Sequence, residues 1–272
     1  MNKINFTAVI LIAISSPAFA SSFDTASTFT IGFGTKYAPK YIGSDKYDIA
    51  AAPYLGWSNG SLYINSEKGF GYTHQFDNGA YVGQALGYSL GRADNNNSWL
   101  KEGSDKLKGM GTIKTAMTST TTAGWWLTPW MGVEGNVIAP ITDSQGMQYN
   151  LKANFLVVNN ETDTLTLSTT AWYGDARFNN TWFGVNEKQS LHSSFQKYNA
   201  KKGFNRLDYS ITWQHGFSKN WSGYAEASYT MLENRVNNSP LVDGCEQLVP
   251  IGYRCILLVL MALTLGQDCE HI

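Results

Sequence analysis

The chain has 272 residues, with 21 acidic against 20 basic side chains, and only 15% of it is charged. A net charge of −1 offers no basic stripe to neutralise phosphates, so a nucleic-acid partner is excluded. Aromatics reach 14% and Gly numbers 26, a mixture that rules out disorder and suits a β protein with one apolar and one polar face.

Residues 1–20 read as a signal peptide. Lys3 supplies the positive start, residues 6–14 the apolar stretch, and Ala18-Phe19-Ala20 a small-x-small cleavage site. The apolar stretch is too short to span a bilayer as a helix. The mature chain is therefore expected to begin near Ser21 and to be exported. No Cys occurs from Ser21 to Gly244, so no disulfide staples the body; Cys245, Cys255 and Cys269 all lie in the tail.

Downstream, a period of two dominates. Phe29, Ile31 and Phe33 alternate with Thr28, Thr30 and Gly32, and Leu207, Tyr209, Ile211 and Trp213 oppose Asp208, Ser210, Thr212 and Gln214. Successive strand side chains point to opposite faces, so each segment has one apolar and one hydrated wall. Eleven such segments are predicted, near 28–35, 47–57, 61–66, 69–76, 80–91, 106–118, 122–134, 147–158, 164–174, 206–217 and 221–231. Turn residues such as Asp77-Asn78-Gly79 separate several of them, whereas 92–105 and 175–205 are long polar connections. Short turns at one end and long loops at the other belong to an outer-membrane barrel. Aromatics at strand ends, among them Trp125, Trp126, Trp172 and Trp221, fit its two interfacial girdles.

The expected fold is thus all-β, a transmembrane antiparallel β-barrel of about 12 strands in the cell outer membrane. Its expected segments are the signal peptide 1–20, the barrel 21–243 and an atypical tail 244–272. A bacterial barrel has an even number of strands, so eleven segments call for a twelfth. After Asp243 the pattern changes: 255–265 is an unbroken apolar run without alternation, and the chain ends in Glu270-His271-Ile272 without the terminal aromatic of barrel proteins. Two readings stand side by side there, a frameshift-like replacement of the last strand and a merely hydrophobic last strand.

Three stretches of the body carry a family resemblance. The first is Tyr37-Ala-Pro-Lys-Tyr41-Ile-Gly43-Ser44-Asp45-Lys-Tyr47 with Pro53-Tyr54 beyond it. The second is Gly69-Phe-Gly71-Tyr; the third runs Asn180-Thr-Trp-Phe183-Gly184-Val185-Asn-Glu-Lys-Gln189-Ser190, then Tyr198 to Gly203. With these the chain resembles the MipA/OmpV family of outer-membrane proteins, up to about Asp243. The resemblance implies a non-enzymatic barrel set in outer-membrane lipid. It implies a scaffold that brings a lytic transglycosylase to a murein synthase, with a small-solute porin or an adhesin-like surface antigen as alternatives. Tyr41, Gly43, Ser44, Tyr47, Phe183, Gly184 and Gln189 are the motif and interaction candidates. Gly43 and Ser44 serve equally well as plain turn residues, and the 175–205 loop as a plug or a partner surface.

No catalytic, cofactor or metal set is expected. His74, His192, His215 and His271 do not pair at metal-ligand spacing and have no Cys beside them in the body. His192-Ser193 is adjacent in sequence, which sends the two side chains apart on a strand and leaves no nucleophile-base pair. Asp94-Asn95-Asn96-Asn97 lacks the ligand spacing of a calcium loop and reads as a polar tip.

Overall fold

The structure, a computed structural model, describes residues 27–96, 101–218 and 220–243, and the backbone alone of 255–266. The expected signal peptide lies outside these residues. In chain order the strands are β1 (Ser27–Pro39), β2 (Tyr47–Asn59), β3 (Leu62–Asn65), β4 (Gly69–Gln75), β5 (Ala80–Ser89), β6 (Arg92–Ala93) and β7 (Glu102–Gly103). They continue as β8 (Ala116–Thr128), β9 (Met131–Pro140), β10 (Gln148–Asn159), β11 (Asp163–Gly174), β12 (Gly203–Gly216), β13 (Trp221–Leu232) and β14 (Cys255–Gly266). The pair β6–β7 is a small parallel ladder in a loop; the other twelve strands form a closed antiparallel barrel.

Closure runs through β14. It pairs with β1 from Thr28↔Gly266 to Tyr37↔Leu257, and with β13 from Trp221↔Leu263 to Tyr229↔Cys255. The expected twelfth strand is therefore present, though without alternation: Leu258 stands opposite Glu226 and Leu260 opposite Tyr224.

The outer wall is apolar. Phe33 is 59% exposed, Leu151 63% and Ile49 71%, with Ile31, Leu55 and Leu86 among many others. A soluble sandwich would bury these side chains between its sheets, whereas lipid covers them here. Trp125, Trp130, Trp213, Phe217 and Trp221 are exposed near the end with the short turns. His215 sits among them, its Nδ1 2.8 Å from Asp163 Oδ1 and its ring edge-on to Phe217 at 4.7 Å. His74 likewise meets Phe76 edge-on at 4.7 Å, as interfacial packing predicts.

Two segment boundaries are corrected. The segments placed at 106–118 and 122–134 are in fact β8 at Ala116–Thr128 and β9 at Met131–Pro140, turning at Pro129-Trp130. Residues Asp105–Leu107 form a single 3-10 turn instead.

Inside the barrel, rings lie flat against the wall. A Cβ added to Gly71 would fall 2.2 Å from Tyr63 Cζ, and one added to Gly124 2.2 Å from Tyr81 Cζ. Gly132 holds the Trp126 ring in the same way. Glycine on the neighbouring strand thus makes the seat for each aromatic ring, which pins the register while keeping the ring out of the lumen.

Candidate functional site

All seven sequence candidates lie at the end that carries the long loops. Three short helices pack there: α1 (Ala176–Phe183), α2 (Glu187–His192) and α3 (Asn234–Asn237). The sequence sets their starts. Asp175 Oδ1 accepts the Phe178 N–H at 2.6 Å, and Asn186 and Gln189 exchange side-chain and backbone bonds of 2.9 Å in a capping box.

One apolar cluster joins Tyr41, Leu107, Met110, Val185, Phe195 and Leu241, drawn from four separate loops. Tyr41 is fully buried; its hydroxyl donates to the Leu241 carbonyl at 3.1 Å. A second cluster joins Phe178, Phe183, Ala200, Val236 and Val242, and the Ser239 hydroxyl donates to the Phe183 carbonyl at 2.6 Å. Gln189 Nε2 donates to the Met110 carbonyl at 2.7 Å, tying α2 to the 90–115 loop. Gly184 ends α1, its N–H donating to the Asn180 carbonyl at 3.0 Å.

Gly43 and Ser44 make a turn and something more. The Ser44 N–H donates to the Tyr41 carbonyl at 2.9 Å, and Gly43 has φ +106°, a conformation few other residues adopt. A side chain at Gly43 would also strike Val242, whose Cγ2 lies 2.9 Å from the Cβ position, and the Gly43 carbonyl accepts the Asp243 N–H at 2.8 Å. Tyr47 stands apart on β2, stacked on Tyr37 at 5.3 Å. Tyr41, Gly43, Ser44, Phe183, Gly184 and Gln189 thus hold the cap together.

No local pattern announces Arg92, which is 3% exposed in the cap. Its Nη1 donates to the Trp182 carbonyl at 2.6 Å, and its guanidinium stands 6.0 Å from the Tyr41 ring. Burial pulls it down to about 10, so it stays charged at neutral pH. The polar tip at Asp94 is anchored too: Asn96 Nδ2 donates to Asp105 Oδ2 at 2.6 Å and Lys40 Nζ to Asn96 Oδ1 at 3.0 Å.

Beneath the cap the lumen is lined by a linked polar network. Tyr81 donates to Glu134 Oε2 at 2.7 Å, and Asn136 Nδ2 donates to Glu134 Oε1 and Asn150 Oδ1, both at 2.9 Å. Lys152 faces Glu134 in register, and across the lumen Tyr224 donates to Glu226 Oε2 at 2.5 Å. Higher up, Arg206 pairs with Asp208 at 3.1 Å and stacks on Trp172 at 4.3 Å. A cavity of about 210 Å³ separates this wall from the cap, lined by Thr118, Ile138 and Arg206 below and Phe178, Trp182 and Ile42 above. Among the described residues no three His, Cys, Asp or Glu side chains come together as metal ligands.

Among solved structures the chain is similar, at low identity, to several outer-membrane proteins. An outer-membrane channel from Pseudomonas putida is 8% identical, with a TM-score of 0.43, over 98% of this chain and all of that one (100%). A bacterial polysaccharide outer-membrane secretin is 9% identical, with a TM-score of 0.41, over 88% and 98% of the two chains. The NanC porin is 9% identical, with a TM-score of 0.36, over 88% and 97%. No curated protein matches the chain. The match that identifies its relatives is to the MipA family, described as MltA-interacting protein; it covers residues 31–252 and so runs past Asp243, though not into β14, and the chain belongs to that family of outer-membrane barrels.

Proposed function

We propose that the protein is a non-enzymatic docking platform for murein-remodelling enzymes, a lytic transglycosylase of the MltA type and, with it, a murein synthase. The family match over residues 31–252 carries this reading. The architecture is compatible with it: tight turns at the periplasmic end make a rigid rim, and the cap fills the outer end. Affinity capture from cross-linked, solubilised envelopes is expected to recover a lytic transglycosylase; its absence from the captured material would sink the proposal.

The charged, hydrogen-bonded lumen favours a second reading, passage of small solutes. Single-channel conductance in planar bilayers tests it, and a barrel electrically silent at all voltages speaks against it.

The tail is proposed to replace the family's own last strand, since the family match stops at 252 and β14 sets Leu258 and Leu260 opposite lumen positions. Exchanging 255–266 for an alternating strand with a terminal Phe is expected to raise the share of protein that migrates as a compact, heat-modifiable barrel several-fold. An equal share in both forms would show that the apolar strand closes the barrel as well as an alternating one.

A further inference from the structure

The barrel wall has a gap. β1 and β2 pair along 13 residues, but β3 and β4 have only four and seven, and their hairpin turns at 66–68. Above that turn β2 has no strand on one side: its pairing with β3 covers only Gly56 to Asn59. β5 stands three strand spacings away, about 14 Å at about 4.8 Å per spacing. By strand direction this gap opens in the outward half of the wall, below the cap.

An unpaired strand edge in lipid is costly, because each orphaned backbone group forgoes a hydrogen bond. The N–H groups of this edge are largely accounted for. Leu55 turns its backbone toward the gap, exchanging bonds with Ser66: the Leu55 N–H donates to Ser66 Oγ at 2.9 Å and the Ser66 N–H to the Leu55 carbonyl at 2.9 Å. Alternation turns Pro53, Ala51 and Ile49 the same way. Pro53 has no N–H to lose, and the Ile49 N–H donates to Asp48 Oδ1 at 2.9 Å. Between Ile49 and Leu55 the Ala51 N–H and the carbonyls of Ile49, Ala51 and Pro53 are left over, a rim of polar groups at the gap. Pro53 and the Asp48-bonded Ile49 N–H make this edge a poor template for a further strand.

Two further observations mark a passage. The cavity beneath the cap is bordered by Ser89, at the top of β5, and by Ile42, from the β1–β2 loop above β2, so it adjoins the gap on its β5 side. On the sill, the hairpin turn carries Glu67, one of whose carboxylate oxygens is buried without a hydrogen-bond partner. α1 contributes Phe178 and Trp182 to the roof of that cavity.

The geometry points to a lateral portal between β2 and β5 through which small amphipathic amines pass from the outer leaflet into the lumen, their ammonium group received by Glu67. An apolar body fits the lipid side and the mainly apolar cavity; a cationic donor answers the unpartnered carboxylate oxygen. Glu134 and Glu226 lie in the lumen beyond, interleaved with Lys68 and Lys152. This rests on neither reading above, since the ligand need only enter the lumen.

The test is binding of n-octylammonium to the barrel in lipid nanodiscs, measured above empty nanodiscs, with n-octanol and n-octanoate as matched probes. Glu67→Gln is expected to weaken octylammonium at least tenfold and to leave octanol unchanged. Lengthening the β3–β4 hairpin by four residues on each strand, which gives Ala51 a partner, is expected to abolish binding of both. Heat-modifiable migration confirms that each variant is folded. Uptake equal to empty nanodiscs, octanoate bound as tightly as octylammonium, or Glu67→Gln without effect would each overturn the portal; should the lengthened hairpin not fold, the Glu67→Gln comparison decides alone.

Discussion

Tyr41→Ala is expected to open the cap and leave the barrel standing. The side chain is completely buried among Leu107, Met110, Val185, Phe195 and Leu241, so its removal empties the centre of four loops at once. Truncating a buried aromatic costs about 3–5 kcal/mol, and here the loss also frees Arg92 from the ring that faces it. At about 1.4 kcal/mol per factor of ten, local opening of the cap rises by a hundredfold or more. Trypsin should then cut at Lys106, Lys108 and Lys188 in barrels that still migrate as heat-modifiable. Tyr41→Phe keeps the ring and loses only the bond to the Leu241 carbonyl, about 1 kcal/mol. Its cleavage should stay within about tenfold of the parent. Equal cleavage of Tyr41→Ala and the parent would mean that the cap does not depend on this cluster.

The barrel was legible wherever one face is apolar and the other polar. Strands β10 to β13 fall within three residues of their predicted limits for that reason. The failure in β8 has a local cause. Residues 118–122 are Thr-Ser-Thr-Thr-Thr, polar on both faces, and so looked like a break between two strands. In the fold Ser119 and Thr121 face outward, where Gln84 joins them: its Nε2 donates to Ser119 Oγ and the Thr121 hydroxyl to its Oε1, both at 2.7 Å. Polar groups satisfied by one another across strands are tolerated on a lipid face, and no single-strand pattern announces them. The turn at Pro129-Trp130 was hidden by its own aromatics, which belong to the interfacial belt. The cap was half legible: Asp175, Asn186 and Gln189 are cap residues of recognisable type, but the meeting of Tyr41 with Leu241 spans 200 positions and leaves no local trace. The short β3 and β4 were visible as short segments; the gap above them exists only once their neighbours are known to be longer.

Gly124→Leu is expected to damage the barrel itself. The new Cβ would lie 2.2 Å from Tyr81 Cζ, so the ring must leave its seat on the wall. Leaving it breaks the 2.7 Å bond to Glu134 and drives the phenol into the lumen. Overpacking of this kind costs about 1–3 kcal/mol, and a hydrogen bond to a charged group adds about 1.5–3 kcal/mol. The denaturant midpoint of the detergent-solubilised barrel should fall accordingly. The companion variant Tyr81→Ala is milder in one respect, because Asn136 still donates to Glu134. The combination of the two distinguishes a steric seat from a general intolerance of side chains at position 124. With Tyr81 already cut back, the leucine has room, so the double variant should be more stable than Gly124→Leu alone and the two effects should be far from additive. Strict additivity would show that Gly124 matters for its backbone and not for the ring it supports; the same cycle at Tyr63 and Gly71 tests whether ring seats are a general device of this wall.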